Sequence, residues 1–224
     1  MAPIEILWSD PHVVAALKSA GMPAQPDPTK DPDMLTVLRE QLNEPGIGAV
    51  HRLDRPVSGV MLFGRTPEAI ASLSAQFHDR KITKGYWAIV EGHYSAGGLL
   101  KHALSHNTHR HRAFANAIPL TEDSKAILNV TVLATGDRYT LLEVVPDGGA
   151  FHQIRAQLSA SGHPVKGDVK YGARRGEKDR SIALHARWIQ VHHPVTGEQC
   201  SFTAQVPSLS IWAALTAALN VTSK

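Results

Sequence analysis

The order of apolar and polar residues along the chain predicts both helices and strands. Apolar positions recur at helical spacing in four segments, which cover residues 31–43, 66–81, 151–162 and 208–220. Asp31 and Thr66 are each followed by proline, a combination that is typical of the first turn of a helix. Gly162 is placed to end the third helix. The last helix is predicted to open at Ser208 or Ser210.

Shorter apolar runs bounded by glycine, proline or polar residues predict strands. Single strands are predicted at 4–8, 59–65 and 85–92, and hairpins at 126–146 and 183–205. Because the strands outnumber the helices and arrive as hairpins, we expect an α+β protein. Its central sheet should be mixed, largely antiparallel and flanked by helices. We found no domain-sized linker and expect one domain over residues 1–224.

Composition narrows the class of protein only modestly. Hydrophobic residues make up 43% of the 224 residues and charged residues 19%, an ordinary globular balance. A net charge of +3, with 13 histidines, permits a nucleic-acid partner without establishing one. Cys200 is the only cysteine, so no intramolecular disulfide can form. With neither a signal-peptide pattern nor a membrane-length apolar run, the sequence predicts a cytoplasmic protein without membrane association.

The segment "AVHRLDRPVSG", residues 49–59, places Asp54 among His51, Arg52 and Arg55. If the segment is extended, Arg52 and Asp54 lie on one side and His51 and Leu53 on the other. Nearby cations stabilise an ionised carboxylate, which can act as a nucleophile or a base. The alternative is a surface salt-bridge cluster, in which an exposed pair contributes about 0–1 kcal/mol.

A second segment, "GAFHQIRAQLSASGHPVKGDVKYG", combines a helix start with basic residues. Gln153 and Arg155 lie in the first turn of the predicted helix, and Lys166 and Lys170 follow it. Helix starts favour anions, and Arg155 can bind a carboxylate or a phosphate with two hydrogen bonds. The alternative is an amphipathic helix with an exposed basic end.

Four motifs together resemble those of RluA-type RNA pseudouridine synthases, in the same order and spacing. They are "HRLDRPVSGVMLF", "KGYWAIVEG", "FHQIRAQLSASGHPVKGDVKYG" and the "LHA" of residues 184–186. The resemblance extends from about Ile4 to Val206 and implies the pseudouridine synthase fold. It also implies isomerisation of selected uridines in structured rRNA or tRNA to pseudouridine, without a cofactor or metal.

The resemblance assigns roles to individual residues. Asp54 matches the catalytic aspartate, Tyr86 the tyrosine that packs against the target base, and Arg155 the arginine that pairs with the aspartate. We expect the planar group of Arg52 to fill the space that an extruded uridine leaves. Contacts with substrate are predicted for Arg52, His51, Arg55, His152, Gln153, Arg110, Arg112 and Lys166.

The chain differs from the family pattern at two places. Gly149 and Ala150 stand where relatives generally have Gly-Arg, and Leu17-Lys18-Ser19 stands where relatives often have Asn-Lys-Pro. Many relatives also have a small N-terminal RNA-binding domain, which we do not expect here. Recognition of the RNA should therefore come from the catalytic domain, acting as a monomer without an obligatory protein partner.

The segment "KHALSHNTHRHR", residues 101–112, allows three interpretations. His102 and His106 would share a helix face and could bind zinc, but no carboxylate accompanies them and arginines oppose a dication. Alternatively, Arg110 and Arg112 contact the RNA backbone, or the segment is a solvated face. We predict no metal site and place both arginines among the substrate contacts.

Two other functions compete with isomerisation. An RNA-binding or chaperone protein on the same scaffold would not need Asp54, Tyr86 and Arg155 together. A nucleosidase or nuclease would need a second well-placed carboxylate or a metal cluster, and the sequence offers neither. The preferred prediction is therefore an RNA pseudouridine synthase.

Overall fold

The computed structural model describes residues 3–107, 112–116, 125–217 and 219. The chain divides into two compact units, one of Met1–Lys84 with His185–Gln205 and the other of Gly85–Leu184 with Val206–Lys224. Since neither unit is continuous in sequence, no single linker separates them. The expectation of one domain stays a prediction.

Eleven strands and four helices are formed by the described residues. The strands are β1 (Ile6–Ser9), β2 (Val13–Lys18), β3 (Gly48–Ala49), β4 (Ser58–Gly64), β5 (Thr83–Glu91), β6 (Gly98–Asn107), β7 (Arg112–Asn116), β8 (Lys125–Thr135), β9 (Tyr139–Asp147), β10 (Leu184–His192) and β11 (Gln199–Thr203). The helices are α1 (Met34–Leu42), α2 (Pro67–His78), α3 (Gln153–Ala160) and α4 (Ser210–Ala217). All the pairings described below are antiparallel except one, which confirms the predicted α+β class with a mixed, largely antiparallel sheet.

In the first unit, β4 lies between β2 and β10. It pairs with β2 in antiparallel and with β10 in parallel orientation. Every residue of β4 is buried, which explains why this strand reads as a continuous apolar run instead of an alternating one. Strand β1 extends the sheet beyond β2, and β11 pairs with β10 in the predicted hairpin.

The second unit is built on antiparallel strands in the order β5, β9, β8, β6 and β7. The β8–β9 hairpin confirms the prediction. The prediction of a polar segment at 97–116 missed the β6–β7 hairpin. His102 lies on β6, so the helix face assumed in the zinc interpretation is wrong. Arg110 lies outside the described residues.

The predicted helices all form, but one start is displaced. Asp33, and not Asp31, caps α1, because its carboxylate accepts a hydrogen bond from the Thr36 N–H at 3.0 Å. Thr66 caps α2 as predicted. Helix α4 begins at Ser210. The sequence prediction also missed β2, whose unbroken apolar run lacks the alternation typical of a strand.

Candidate active site

Asp54 lies just before β4, at the start of a tight turn that leads into this strand. Its carbonyl oxygen accepts a hydrogen bond from the Val57 N–H at 3.0 Å. Leu53 is buried, Asp54 is half-buried and Arg52 is exposed. The predicted alternation of sides stays a prediction, and Asp54 keeps part of its surface exposed to solvent.

Lys18, at the end of β2, forms hydrogen bonds with the backbone of this turn. Its side chain is fully buried. The ammonium nitrogen Nζ lies 3.1, 3.2, 3.1 and 2.7 Å from the carbonyl oxygens of Ser19, Asp54, Arg55 and Val57. Burial lowers the pKa of Lys18 to about 7, and the charge of Asp54 opposes that shift. The four carbonyl acceptors bind the ammonium form, so below about pH 7, where that form predominates, a buried cation stabilises the backbone at Asp54.

Sequence reasoning gave Lys18 no role. The available signal was a single lysine at the end of the apolar run "VVAAL". A lysine is almost never fully buried unless it has partners, but only the tertiary structure identifies the partners. Three of the four are carbonyl groups 36 to 39 positions along the chain, and the fourth belongs to the neighbouring Ser19.

His51 is held by the protein itself. The Leu62 N–H donates to its Nε2 at 2.9 Å, and its ring stacks on Phe77 with centroids 4.5 Å apart. Burial lowers the pKa of His51 to about 3, and the nearby charge of Lys84 adds to the shift. The ring is therefore neutral at physiological pH and fixes the start of the Asp54 segment against β4. Its contact with substrate stays a prediction.

Arg55 is directed toward a different loop from the one that carries Asp54. Its Nε donates to the Gly21 carbonyl at 2.9 Å, and its guanidinium forms an ion pair with Asp31. Both side chains of the pair are largely exposed, so the ion pair contributes little to stability. Substrate binding by Arg55 stays a prediction.

The structure gives a packing reason for the glycine that ends "PVSG" and for the histidine of the "LHA" motif. Strand β10 passes so close to Gly59 that a Cβ atom there would lie 2.3 Å from the Ala186 carbonyl oxygen. Gly59 also has a φ of +126°, which other residues rarely adopt. Beside it, the Ser58 hydroxyl contacts Nδ1 of the fully buried His185 at 2.9 Å. Burial is the main cause that lowers the pKa of His185 to about 4.

In the second unit, Arg155 of α3 forms a buried bidentate ion pair with Asp168. Its Nε lies 2.6 Å from Oδ2, and its other donor nitrogen lies 2.9 Å from Oδ1. The side chains are 5% and 1% exposed, so two charges removed from water compensate each other. Asp168 was part of the quoted motif, but sequence reasoning gave it no role. The predicted partnership of Arg155 with Asp54 stays a prediction.

Tyr171 connects the other residues around Arg155. Its ring lies 4.9 Å from the Arg155 guanidinium and 5.0 Å from that of Arg112. Its hydroxyl accepts from the Ala113 N–H at 2.9 Å and lies 2.8 Å from His152 Nδ1. Burial raises the pKa of Tyr171, so its hydroxyl stays protonated. This residue was also missed, because its neighbours come from β7 and α3.

His152 is predicted to contact substrate and has an unusual backbone. Its φ is +53°, and it directly precedes α3. The Phe151 ring, 40% exposed, stacks on the imidazole with centroids 3.8 Å apart. The hydrogen bond to Tyr171 holds the other side of the imidazole in place. Such backbone strain persists only where surrounding contacts support it.

Four further predicted residues also lie in the second unit. Gln153 accepts from the Ala150 N–H at 3.3 Å and donates to the Ile127 carbonyl at 3.0 Å, so its amide group connects two segments. Lys166 forms an ion pair with Glu177. Tyr86 is half-buried on β5, opposite Val144 of β9. Arg112 has a buried Nε for which the described residues provide no hydrogen-bond partner.

Among the described residues, no three histidine, cysteine or acidic side chains converge in a way that could bind a metal ion. None of the helices formed by those residues has the length and hydropathy needed to span a bilayer.

Comparison with known proteins assigns the chain to a family. The family model described as RNA pseudouridylate synthase matches residues 12–160. The chain is 32% identical to tRNA pseudouridine synthase C of Yersinia pestis, over 90% of this chain and 86% of that protein. It is 30% identical to ribosomal large subunit pseudouridine synthase D of Zymomonas mobilis, over 92% and 70%.

Solved structures agree with this assignment at the level of the fold. The human RNA pseudouridylate synthase domain containing 4 superposes with a TM-score of 0.78 at 21% identity, covering 96% of this chain and 93% of that one. The chain belongs to the RNA pseudouridine synthase family. It is an isomerase that converts uridine in RNA to pseudouridine.

Proposed function

We propose that Asp54 is the catalytic carboxylate of this enzyme and that its substrate is a structured tRNA or rRNA. The observation that supports the catalytic role most strongly is the Lys18 ammonium beneath the Asp54 turn, with four carbonyl contacts of 2.7–3.2 Å. These contacts fix the backbone that carries the half-buried Asp54 carboxylate, and they place a positive charge near it. A surface ion-pair loop would not need a buried cation.

The chemistry of the reaction suits a single carboxylate. Cleavage of the bond between base and ribose develops positive charge on the sugar, which a carboxylate stabilises by charge or by covalent attack. A hydrolase usually needs a second carboxylate to activate water. An isomerase retains the base and excludes water, so one carboxylate is enough and neither a cofactor nor a metal is required.

Tyr86, Arg155 and Arg52 complete the proposed set. Tyr86 offers a ring on which the target base can stack, an interaction worth about 1–3 kcal/mol. Arg155 supplies a guanidinium whose orientation is supported by its bidentate pair with Asp168. The exposed Arg52 can occupy the place of the extruded base, which offsets part of an unstacking cost of a few kcal/mol.

The other proposed substrate contacts differ in how strongly the structure supports them. Arg112 has the best support, because its guanidinium is held against the rings of Phe114 and Tyr171 while its Nε has no partner among the described residues. Proposed contacts for His51, Arg55, His152, Gln153 and Lys166 rest on the family motifs that contain them, and the contact for Arg110 rests on the positive charge of residues 101–112. We further propose that the enzyme acts in the cytoplasm as a monomer.

The decisive experiment supplies the protein with RNA that it has not yet modified. Total RNA from a strain that lacks the protein is incubated with it, and pseudouridine is mapped chemically in tRNA and rRNA. We expect new pseudouridine at discrete positions with the wild-type protein and none with Asp54→Asn. Asp79→Asn, at the exposed end of α2, is the matched control and should retain activity.

The outcomes separate the proposals. Modification that persists in Asp54→Asn would exclude Asp54 as the essential group. RNA binding by the wild-type protein without any pseudouridine would favour a purely RNA-binding protein. The modified position identifies the substrate RNA.

A further inference from the structure

Positive charge is concentrated in one exposed segment of the second unit, residues 170–180, which we call the basic loop. It contains five cationic residues and two acidic ones, a formal net charge of +3 that equals the net charge of the whole chain. The rest of the chain is therefore neutral overall. The cationic side chains, all exposed, are Lys170, Arg174, Arg175, Lys178 and Arg180.

The two acidic residues of the basic loop bind groups outside the loop. Glu177 forms an ion pair with Lys166, outside the loop. Asp179 accepts hydrogen bonds from the N–H and the hydroxyl of Ser181, at 3.0 and 2.7 Å. Both carboxylates therefore have partners outside the five cations of the basic loop.

Arg174, one of these cations, faces solvent. The Arg174 side chain is 92% exposed, and its Nε lies 3.9 Å from Glu91, beyond hydrogen-bond distance. The two apolar side chains of the loop, Tyr171 and Ala173, are buried. The loop thus exposes charged side chains with the exposed Val169 beside them, whereas membrane insertion and protein hot spots depend on clusters of apolar or aromatic groups.

The backbone of the basic loop is anchored. The Ala173 N–H donates to the Asp168 carbonyl at 3.0 Å, and the Arg174 N–H donates to Glu91 Oε1 at 3.0 Å. Gly172 has a φ of +100°, which allows the turn that directs the following residues outward. The loop therefore begins from the same backbone that supports the ion pair of Asp168 with Arg155.

We propose that the basic loop binds phosphate groups of the RNA substrate. Guanidinium groups match phosphate oxygens in geometry, and phosphate contacts supply affinity and orientation without choosing a sequence. This inference rests on the proposed tRNA or rRNA substrate and adds a binding surface distinct from the residues assigned to the target uridine. Its signature is the salt dependence of binding, because each neutralised phosphate releases condensed counterions.

The test compares two pairs of charge removals in the full chain carrying Asp54→Asn, so that the RNA is bound but not converted. Arg174→Gln with Arg175→Gln removes two cations from the basic loop. Arg80→Gln with Lys81→Gln removes two exposed cations beyond α2 and is the matched control. The dissociation constant for unmodified tRNA and rRNA transcripts is measured over a range of salt concentrations.

We expect the slope of log Kd against log salt to fall by about 1.4–1.8 in the loop variant, and to stay unchanged in the control. The parent protein should consequently lose about tenfold more affinity than the loop variant between about 50 and 200 mM salt. Arg174→Lys with Arg175→Lys should restore most of the slope. With Asp54 intact, the loop variant should have a raised KM and an unchanged kcat.

An unchanged slope in the loop variant would overturn the proposal, as would an equal decrease in the control, which would indicate a general effect of charge. A lower kcat with an unchanged KM would also contradict it. Failure of the proposed function is separate, since it appears as RNA binding without pseudouridine formation by the wild-type protein. Equal unfolding midpoints of all variants establish that the differences arise in binding.

Discussion

The replacement Tyr171→Phe tests whether one hydroxyl holds together the residues around Arg155. It removes the acceptor of the Ala113 N–H and the partner of His152 Nδ1, at 2.9 and 2.8 Å. The ring itself stays, so its contacts with the guanidiniums of Arg155 and Arg112 are retained. The change therefore isolates the contribution of the two hydrogen bonds.

The size of the stability loss depends on how deeply the two groups that lose their hydrogen bond are buried. Ala113 is 3% exposed, so its N–H loses its partner where water cannot replace it, at a cost of about 1–3 kcal/mol. His152 is half-buried, and water can replace the lost partner in part, so a further cost of about 0.5–1.5 kcal/mol is expected. The free energy of unfolding should fall by about 1.5–4.5 kcal/mol.

Urea unfolding measures this loss, and hydrogen exchange of the Ala113 amide locates it. Tyr139→Phe is the matched control, because the Tyr139 hydroxyl has no hydrogen-bond partner among the described residues. Exchange at Ala113 should accelerate in the Tyr171 variant only. A loss below about 0.5 kcal/mol, together with unchanged protection of that amide, would refute the assigned hydrogen bonds.

Two further predictions concern the first unit. Gly59→Ala should reduce the free energy of unfolding by at least about 2–4 kcal/mol, because the new Cβ would clash with the backbone of β10 and the residue would have to keep a positive φ. Gly46→Ala, which has open space around it, is the control and should be nearly neutral in urea unfolding. His51 has a folded pKa of about 3, below its unfolded value, so between pH 6.5 and pH 3 only the unfolded chain binds the proton and stability falls as pH falls. In urea unfolding at several pH values, His51→Gln should reduce this dependence by up to about 1.4 kcal/mol per pH unit; an unchanged slope in this variant would contradict the neutral His51.

Helices and strands with strong local signals could be predicted from the sequence. The run of β4, the Thr66 cap of α2 and the β8–β9 and β10–β11 hairpins depend on residues close together in the chain, and they formed as expected. The displaced start of α1 has a local cause too. Two aspartates flank Pro32, and the carboxylate that reaches the Thr36 N–H belongs to Asp33.

The motifs likewise identified the family from the sequence, and the comparisons bear out that assignment. The predicted sides of Arg52, Leu53 and Asp54 follow from the period of two in an extended chain. The catalytic and substrate-binding roles assigned to individual residues remain predictions.

Only the tertiary structure decided which distant groups support those residues. Lys18 supports the Asp54 turn across 36 positions of sequence, and Tyr171 reaches Ala113 across 58. Periodicity and capping report on neighbours in the chain, whereas these contacts depend on how separate strands and helices pack. A buried polar group must find a partner, but its sequence does not say which one, so the partners become known only when the chain has folded.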